Sequence, residues 1–571
     1  VHGQIEFRLG LLAGLLCCLF APAASTQDAD LDELIAQMSL EQKIGQMHII
    51  GFAGRELDSE TQALIRDYRL GGYFLQVLEN YTFPEELASL SAALQEAAAD
   101  IPLFIALDQE GGVAAPVHYM MGATGTPGNM ALGASGREED TYDAYRALGN
   151  DMRACGANLN FAPAIDVLLR PENPDYTVRA FSGSVALNAR LAPAAVSGLQ
   201  DAGVLACAKR FPGLVTFDGD THTDTVHITL TEADLQEHLG HFRAAIAAGT
   251  DMIMTCHAVV DAWDRLYPVT LSKSAITGKL REQLGFDGLI ITDSMGMAAI
   301  SKQNSPEEAT VLALAAGCDL VLQGSANVEE FQTRVSAVRD AVTRGQIPLE
   351  QIDQSVRRIL AAKNRIGLYK NASTDPLTVF ERMAPKELIQ ANKRAALNGI
   401  VLVRDEQHLL PLPLVGKRIV VICPPSIFTR AGKGEDQIPT GYTLGHYVRK
   451  VVPEAVEVRV DTVPNPQEAK HALDQAETAD VLVIATLLAL QSPSQTDLVQ
   501  QLLALNKPTV VLSLGTPAEL ALFPAASTAL AVNSPAPVSA EAAVRVLFGE
   551  AEAGGSLPIP VSADSAGGTG F

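Results

Sequence analysis

Four ionisable side chains stand at the ends of short apolar, strand-like runs. Asp108 follows 103–107, Lys209 follows 204–208, His257 comes just after 252–255, and Asp293 follows 289–292. A carboxylate can attack an electrophilic carbon or carry a proton, a lysine can grip an oxygen-rich ligand, and an imidazole titrates near neutrality and passes protons both ways. Taken alone, Asp293 reads equally as the cap of the following helix, because Asp is a favoured N-cap. Four such groups at the same end of four runs form a constellation, and it requires a scaffold that gathers many strand ends in one place.

The chain offers that scaffold. Between residues 30 and 370 eight apolar runs (48–52, 72–75, 103–107, 158–161, 204–208, 252–255, 289–292 and 319–322) alternate with longer amphipathic stretches. The runs are strand-length and mostly unalternating, as strands buried on both faces read. The stretches between them have helical spacing; 84–99 places Leu87, Leu90, Leu94 and Ala98 on one face. Strand–helix alternation of this kind implies an α/β fold with a (β/α)8 TIM-like barrel, whose active site lies at the C-terminal strand ends. Residues 371–394 read as a linker. Residues 395–571 read as a smaller α/β sandwich domain, with strands expected at 418–423, 456–460, 481–486, 509–514 and 529–532. No Gly-x-Gly-x-x-Gly, P-loop or Gly-x-Ser-x-Gly string occurs there, so no chemistry is assigned to it.

Bulk properties narrow the function. At 571 residues the chain is too long for one core. With 47% hydrophobic and 19% charged residues it is globular in composition. A net charge of −24 argues against nucleic acid as a partner. Arg8, the apolar run 9–20 and the small residues 21–25 read as a signal peptide over 1–25, followed by no transmembrane segment. Export to the periplasm or medium is expected, with lipidation at Cys17 or Cys18 the second choice. The remaining cysteines, Cys155, Cys207, Cys256, Cys318 and Cys423, are odd in number and widely spaced; they read as buried small hydrophobes rather than a disulfide framework. Neither a metal cluster nor an organic cofactor is implied.

Several longer strings resemble glycoside hydrolase family 3. They are Met38-Ser39-Leu40-Glu41-Gln42-Lys43-Ile44-Gly45-Gln46-Met47, Asp108-Gln109-Glu110-Gly111-Gly112, Asn158-Leu159-Asn160-Phe161-Ala162-Pro163, Asp166-Val167, Arg179-Ala180-Phe181, Lys209-Arg210-Phe211-Pro212-Gly213 and Gly288-Leu289-Ile290-Ile291-Thr292-Asp293-Ser294. Leu409-Leu410-Pro411-Leu412 and Gly555-Ser556-Leu557-Pro558-Ile559 resemble the family's smaller domain. The string Gly219-Asp220-Thr221-His222-Thr223-Asp224-Thr225-Val226-His227 is similar to the acid/base loop of its β-N-acetylhexosaminidase branch.

The resemblance implies a retaining exo-glycosidase acting on terminal β-linked N-acetylhexosamine, with cell-wall amino sugars as candidate substrates. Asp293 is then the nucleophile, Asp224 and His227 the acid/base pair, and Asp108, Arg179, Lys209, Arg210 and His257 substrate contacts. Four departures stand out. Arg210 replaces a histidine, the loop between Gly213 and Gly219 is lengthened, Val226 occupies the acid/base position one residue before His227, and Val113-Ala114-Ala115-Pro116 replaces basic residues. A one-residue shift on extended chain turns a side chain to the opposite face, although a bulge would bring it back. These departures keep open a catalytically impaired glycan-binding homologue. A β-glucosidase or a glycoside phosphorylase, with Arg210 as its anion contact, also remains open.

Overall fold

The computed structural model describes residues 26–98, 100–173, 176–216, 221–429 and 437–561. The signal-peptide segment and part of the acid/base loop, including Gly219 and Asp220, lie outside them. Eight parallel strands form the first sheet: β1 (His48–Gly51), β2 (Gly72–Phe74), β3 (Phe104–Leu107), β4 (Leu159–Asn160), β5 (Leu205–Phe211), β6 (Met252–Thr255), β7 (Leu289–Ile291) and β8 (Val321–Gln323). Their order is β7-β6-β5-β4-β3-β2-β1-β8, sequential round a ring. A parallel bridge between Ile291 and Leu320 links β7 to the start of β8 and nearly closes the barrel. All eight strands expected from the apolar runs are present.

The sequence explains these elements locally. β3 and β5 are buried along their whole length, which is why they lack polar alternation. The helix Pro84–Ala97 places proline in its first turn and lays Leu87, Leu90 and Leu94 into the core, each contributing roughly 1.5–3 kcal/mol by burial. β7 is fixed from below by Asp319. Its Oδ2 accepts from the Ile290 N–H at 2.8 Å, its Oδ1 accepts from Ser355 Oγ at 2.8 Å, and Arg281 and Arg358 flank it. That anchor sets the height at which residue 293 emerges.

Residues 371–394, read as a linker, carry a short helix Val379–Arg382 and the start of a longer one, Lys386–Asn398. The stretch packs on the helix Glu138–Ala154 through Asn150 Nδ2 to the Arg382 carbonyl (2.9 Å) and the Ala384 N–H to Asp151 Oδ1 (2.8 Å). The polar composition that reads as a connector is accompanied by these contacts to that helix. The helix Lys386–Asn398 leads into a second sheet of β9 (Val401–Asp405), β10 (Ile419–Cys423), β11 (Val456–Arg459), β12 (Val481–Thr486), β13 (Thr509–Ser513) and β14 (Thr528–Ala531). Its order is β9-β14-β13-β12-β10-β11, parallel except for β9 against β14. The five strands expected here are present. The antiparallel β9 was not anticipated, because only its first residue is buried and its end is charged. The five cysteines Cys155, Cys207, Cys256, Cys318 and Cys423 are buried and unbridged.

One buried carboxyl ties the second domain together. Glu519 accepts from Thr486 Oγ1 at 2.7 Å and from the Leu488 N–H at 2.9 Å. It packs so closely on Gly515 that any Cβ there would meet its Oε1 at 2.0 Å. Burial pushes its pKa from the ordinary 4.5 up to about 7, against the pull of these hydrogen bonds. Between those two values the folded chain holds a proton that the unfolded chain has released, so stability falls as pH rises through that window. Glu519→Gln, neutral throughout, should therefore raise the melting temperature at pH 8, by roughly 1–3 kcal/mol of stability, and gain nothing at pH 5. An equal effect at both pH values in thermal melts would count against this reading.

Candidate active site

The strand ends converge on one buried carboxylate that no single-residue expectation had named, Glu110. The loop bearing it is fixed by Asn160 at the end of β4, whose side chain accepts from the Gln109 N–H at 3.0 Å and donates to the Gln109 carbonyl at 2.9 Å. Glu110 takes Arg179 bidentately, Nε to Oε2 at 2.9 Å and Nη2 to Oε1 at 2.8 Å, and Lys209 Nζ at 2.6 Å. Lys209 also meets Asp108 at 2.5 Å. Arg179 is placed by a short 3-10 turn, Thr177–Arg179, whose last carbonyl accepts from Asn129 Nδ2 at 2.7 Å. Three of the expected substrate contacts, Asp108, Arg179 and Lys209, are thus one ion-pair cluster.

Arg210 extends the cluster. Consecutive residues of a strand normally face opposite ways, but the pairing of β5 with β6 shifts register between Lys209 and Phe211. Lys209 turns to Asp108 and Glu110, while Arg210 turns to Asp166, with Nη1 at 3.0 Å from Oδ2 and its own N–H at 3.1 Å from Oδ1. Its Nη2 lies 3.7 Å from Glu110, its guanidinium stands 5.3 Å from the centre of the Tyr176 ring, and its Nε lies 3.4 Å from Asp293 Oδ2. Asp293 therefore faces the charges of β3 and β5. The following helix, Ala298–Ser301, starts from Met297, so Asp293 is not its cap. Asp293 Oδ1 accepts from its neighbour, the Ser294 N–H, at 2.7 Å.

His257 closes the other side. Its Nε2 lies 3.0 Å from the Ser294 carbonyl and donates to it, while Nδ1 lies 2.8 Å from the Thr270 hydroxyl, which also stands 2.8 Å from the Cys256 carbonyl. The expected Asp224–His227 pair does not form. His227 Nδ1 lies 2.8 Å from Asp261 Oδ1, across a parallel ribbon of His227–Ile228 and Val259–Val260, while Asp224 is 75% exposed and 3.6 Å from Lys302. Val226 is buried, with its carbonyl accepting from the Val259 N–H. His222 lies on the segment that meets the start of Ala298–Ser301, and it is close enough to His257 to disfavour charge there.

Charge states follow from this packing. Burial raises the Glu110 carboxyl, but Arg179, Lys209 and Arg210 outweigh it and hold the pKa well below the carboxylate range. Burial likewise raises Asp293, and Arg210, His257 and the Ser294 N–H reverse that, leaving it ionised and below its usual value. Asp166 goes the other way: burial wins over Arg210 and pushes it up to about 6. Burial lowers His257, which favours the neutral ring. A carboxylate held ionised in a mostly dry strand-end site is suited to nucleophilic attack on a sugar's anomeric carbon.

The residues that sequence reading missed are Glu110, Asp166 and Asp261. The first two were legible in principle. Three cations, Arg179, Lys209 and Arg210, cannot be buried against Asp108 and Asp293 alone, and two other strings of the family resemblance carry Glu110 and Asp166. Among the described residues no group of His, Cys, Asp and Glu is disposed to hold a metal ion.

Comparison with known proteins agrees with this geometry. Residues 39–362 match the model of the glycosyl hydrolase family 3 N terminal domain, and residues 400–567 that of the glycosyl hydrolase family 3 C-terminal domain. The chain is 32% identical to the beta-hexosaminidase A of Pseudoalteromonas piscicida over 62% of its own length, a match spanning 64% of that relative, slightly under two thirds. It is 26% identical to the beta-N-acetylglucosaminidase/beta-glucosidase of Cellulomonas fimi over 92% of this chain and 94% of that one. Among solved structures, the family 3 beta-N-acetylglucosaminidase of Paenibacillus sp. str. FPU-7 superposes with a TM-score of 0.84 at 33% identity, covering 92% of this chain and 99% of the other.

If Glu110 is the shared anion of three buried cations, Glu110→Gln should destabilise the barrel by about 3–5 kcal/mol, because it leaves those charges uncompensated. Asp108, 26% exposed in its side chain, should cost about 1 kcal/mol or less as Asp108→Asn. Thermal melting of the two variants separates the cases; equal shifts would contradict the central place given to Glu110.

Proposed function

The chain belongs to glycoside hydrolase family 3, and from that premise we propose that it is a retaining exo-glycosidase releasing terminal β-linked N-acetylhexosamine. In this reading Asp293 attacks the anomeric carbon, an acid protonates the departing oxygen, and water then releases the sugar from the Asp293 ester. The single observation that carries it is the Asp293 carboxylate at the mouth of β7, ionised and facing the charges at the β3 and β5 ends. Asp108, with a quarter of its side chain open, is the cluster member best placed to meet sugar hydroxyls.

Proton transfer goes in this proposal to His227, with Asp261 as its orienting partner in place of Asp224. A carboxylate on Nδ1 leaves Nε2 free to exchange protons, and His227 is half exposed. A second reading, glycan binding without turnover, draws on one observation: Val226 is buried where the family resemblance expects the acid/base, and Asp224 is turned to Lys302. Export, cell-wall amino sugars as substrate and a lipid anchor as the alternative to a free protein belong to the same proposal. Export and the anchor are supported by the composition of residues 1–25 and are tested by cell fractionation of the full chain, whereas the amino-sugar substrate rests on the family resemblance.

The test uses an aryl β-N-acetylglucosaminide, the matching β-glucoside and a substrate with a poor leaving group. Asp293→Asn should lower aryl release on the order of 10³-fold or more. His227→Ala and Asp261→Asn should slow the poor substrate by about 10²–10⁴-fold yet spare the activated one, and Asp224→Asn should do neither. Equal background in wild type and Asp293→Asn would sink the hydrolase and leave binding. Loss on the poor substrate with His222→Ala instead would move the proton donor to that residue.

A further inference from the structure

Arg210 stands where the family resemblance expects a histidine, and its surroundings are those of a counter-ion rather than of a ligand contact. Its backbone N–H and Nη1 are both taken by Asp166, Nη2 lies 3.7 Å from Glu110, and Tyr176 backs the guanidinium. The side chain is only 9% exposed. These contacts leave the guanidinium Nε 3.4 Å from Asp293 Oδ2. Such a group has little room to receive a phosphate. It does hold a charge that does not titrate, because arginine stays protonated in proteins, whereas an imidazole in its place would discharge near neutrality.

We propose that Arg210 is a fixed counter-ion of the nucleophile, keeping Asp293 ionised at low pH and favouring its departure from the glycosyl-enzyme. This rests on the reading of Asp293 as nucleophile. In the first step an Asp293 oxygen bonds to the anomeric carbon, the bond to the leaving group breaks, and the leaving oxygen takes a proton; the carboxylate charge facing Arg210 disappears. In the second step a water oxygen bonds to that carbon, its proton passes to the general base, and the ester bond breaks with its electron pair returning to Asp293. The cation stabilises the carboxylate on both sides of the ester, so it lowers the nucleophile's basicity and improves it as a leaving group.

Other charges face the same carboxylate: Lys209 from β5, His257 from the loop after β6, and the Ser294 N–H from its own loop. Glu110 and Asp166 face Arg210 from behind, and His222 acts on His257. All of them persist in a variant changed only at Arg210, so the difference from wild type isolates that residue.

The experiment measures kcat/KM against pH and the pre-steady-state burst with a nitrophenyl β-N-acetylglucosaminide. Asp293→Asn serves as the reference for nucleophile-dependent turnover. In Arg210→Met the acidic limb of kcat/KM should move up by about one pH unit or more, and a burst absent from wild type should appear as the ester accumulates. Arg210→Lys, which keeps the charge, should hold the limb near its wild-type position. If Arg210→Met melts early, Arg210→Gln combined with Asp166→Asn removes a buried anion together with the cation, and the same two readouts apply. An unmoved limb and no burst, in variants that retain Asp293-dependent turnover, would overturn the counter-ion proposal alone. Absence of Asp293-dependent turnover in the wild type would overturn the hydrolase reading beneath it.

Discussion

Everything at the barrel mouth depends on gathering four carboxylates, two of them fully buried, around three cations without leaving any of them alone. Asp108, Glu110, Asp166 and Asp293 share Arg179, Lys209 and Arg210. Removing water from such groups costs several kcal/mol per ion, and the cost is recovered only when geometry and hydrogen bonding are good throughout. That requirement accounts for the bidentate Arg179–Glu110 contact, the two bonds of Asp166 to Arg210, and the register shift that lets adjacent residues of β5 face the same cavity. The network surrounds Asp293, whose Oδ1 accepts from the next backbone N–H and whose Oδ2 lies 3.4 Å from Arg210 Nε, so this carboxylate stays ionised.

The scaffold meets this demand by fixing each strand from outside the cavity. Asp319 binds the Ile290 N–H and two arginines beneath β7, Asn160 clasps Gln109 above β3, and Asn129 holds the Arg179 carbonyl. None of these residues faces Asp293 directly, yet each sets the height or direction of one that belongs to the ion network around it. Catalytic geometry needs this kind of over-determined support, because a loosely held group loses most of its advantage.

Most of the fold was legible in the sequence because it follows from burial. Strands buried on both faces announce themselves as unbroken apolar runs, and all eight barrel strands and five of the six in the second sheet were readable that way. β9 was not, since it is an edge strand with one buried residue; nor was the helical character of 379–394, whose partners are polar groups on a distant helix. In the site, Asp108, Lys209, Arg210, His257 and Asp293 converge because they stand at or just beyond strand ends, and Arg179 joins them from the 3-10 turn Thr177–Arg179. What the sequence could not supply was pairing. That Arg210 faces Asp166 and Asp293, and that His227 takes Asp261 instead of Asp224, depends on a bulge and on a two-residue ribbon, and neither leaves a periodic trace.

This contrast separates the two halves of the chemistry. The nucleophile side is built from buried, mutually satisfied charges on β3, β5 and β7, where a single change disturbs several partners. The proton-donor side rests on a half-exposed imidazole and one carboxylate across a short ribbon, which can change partner at little cost in stability. Substitution is therefore far easier on the second side than on the first. Arg210 is the exception: it is a departure inside the tightly held half, and it persists there because Asp166 and Glu110 balance the charge it brings. A residue that alters the nucleophile's environment while keeping its own charge paired changes how Asp293 reacts without changing where it sits.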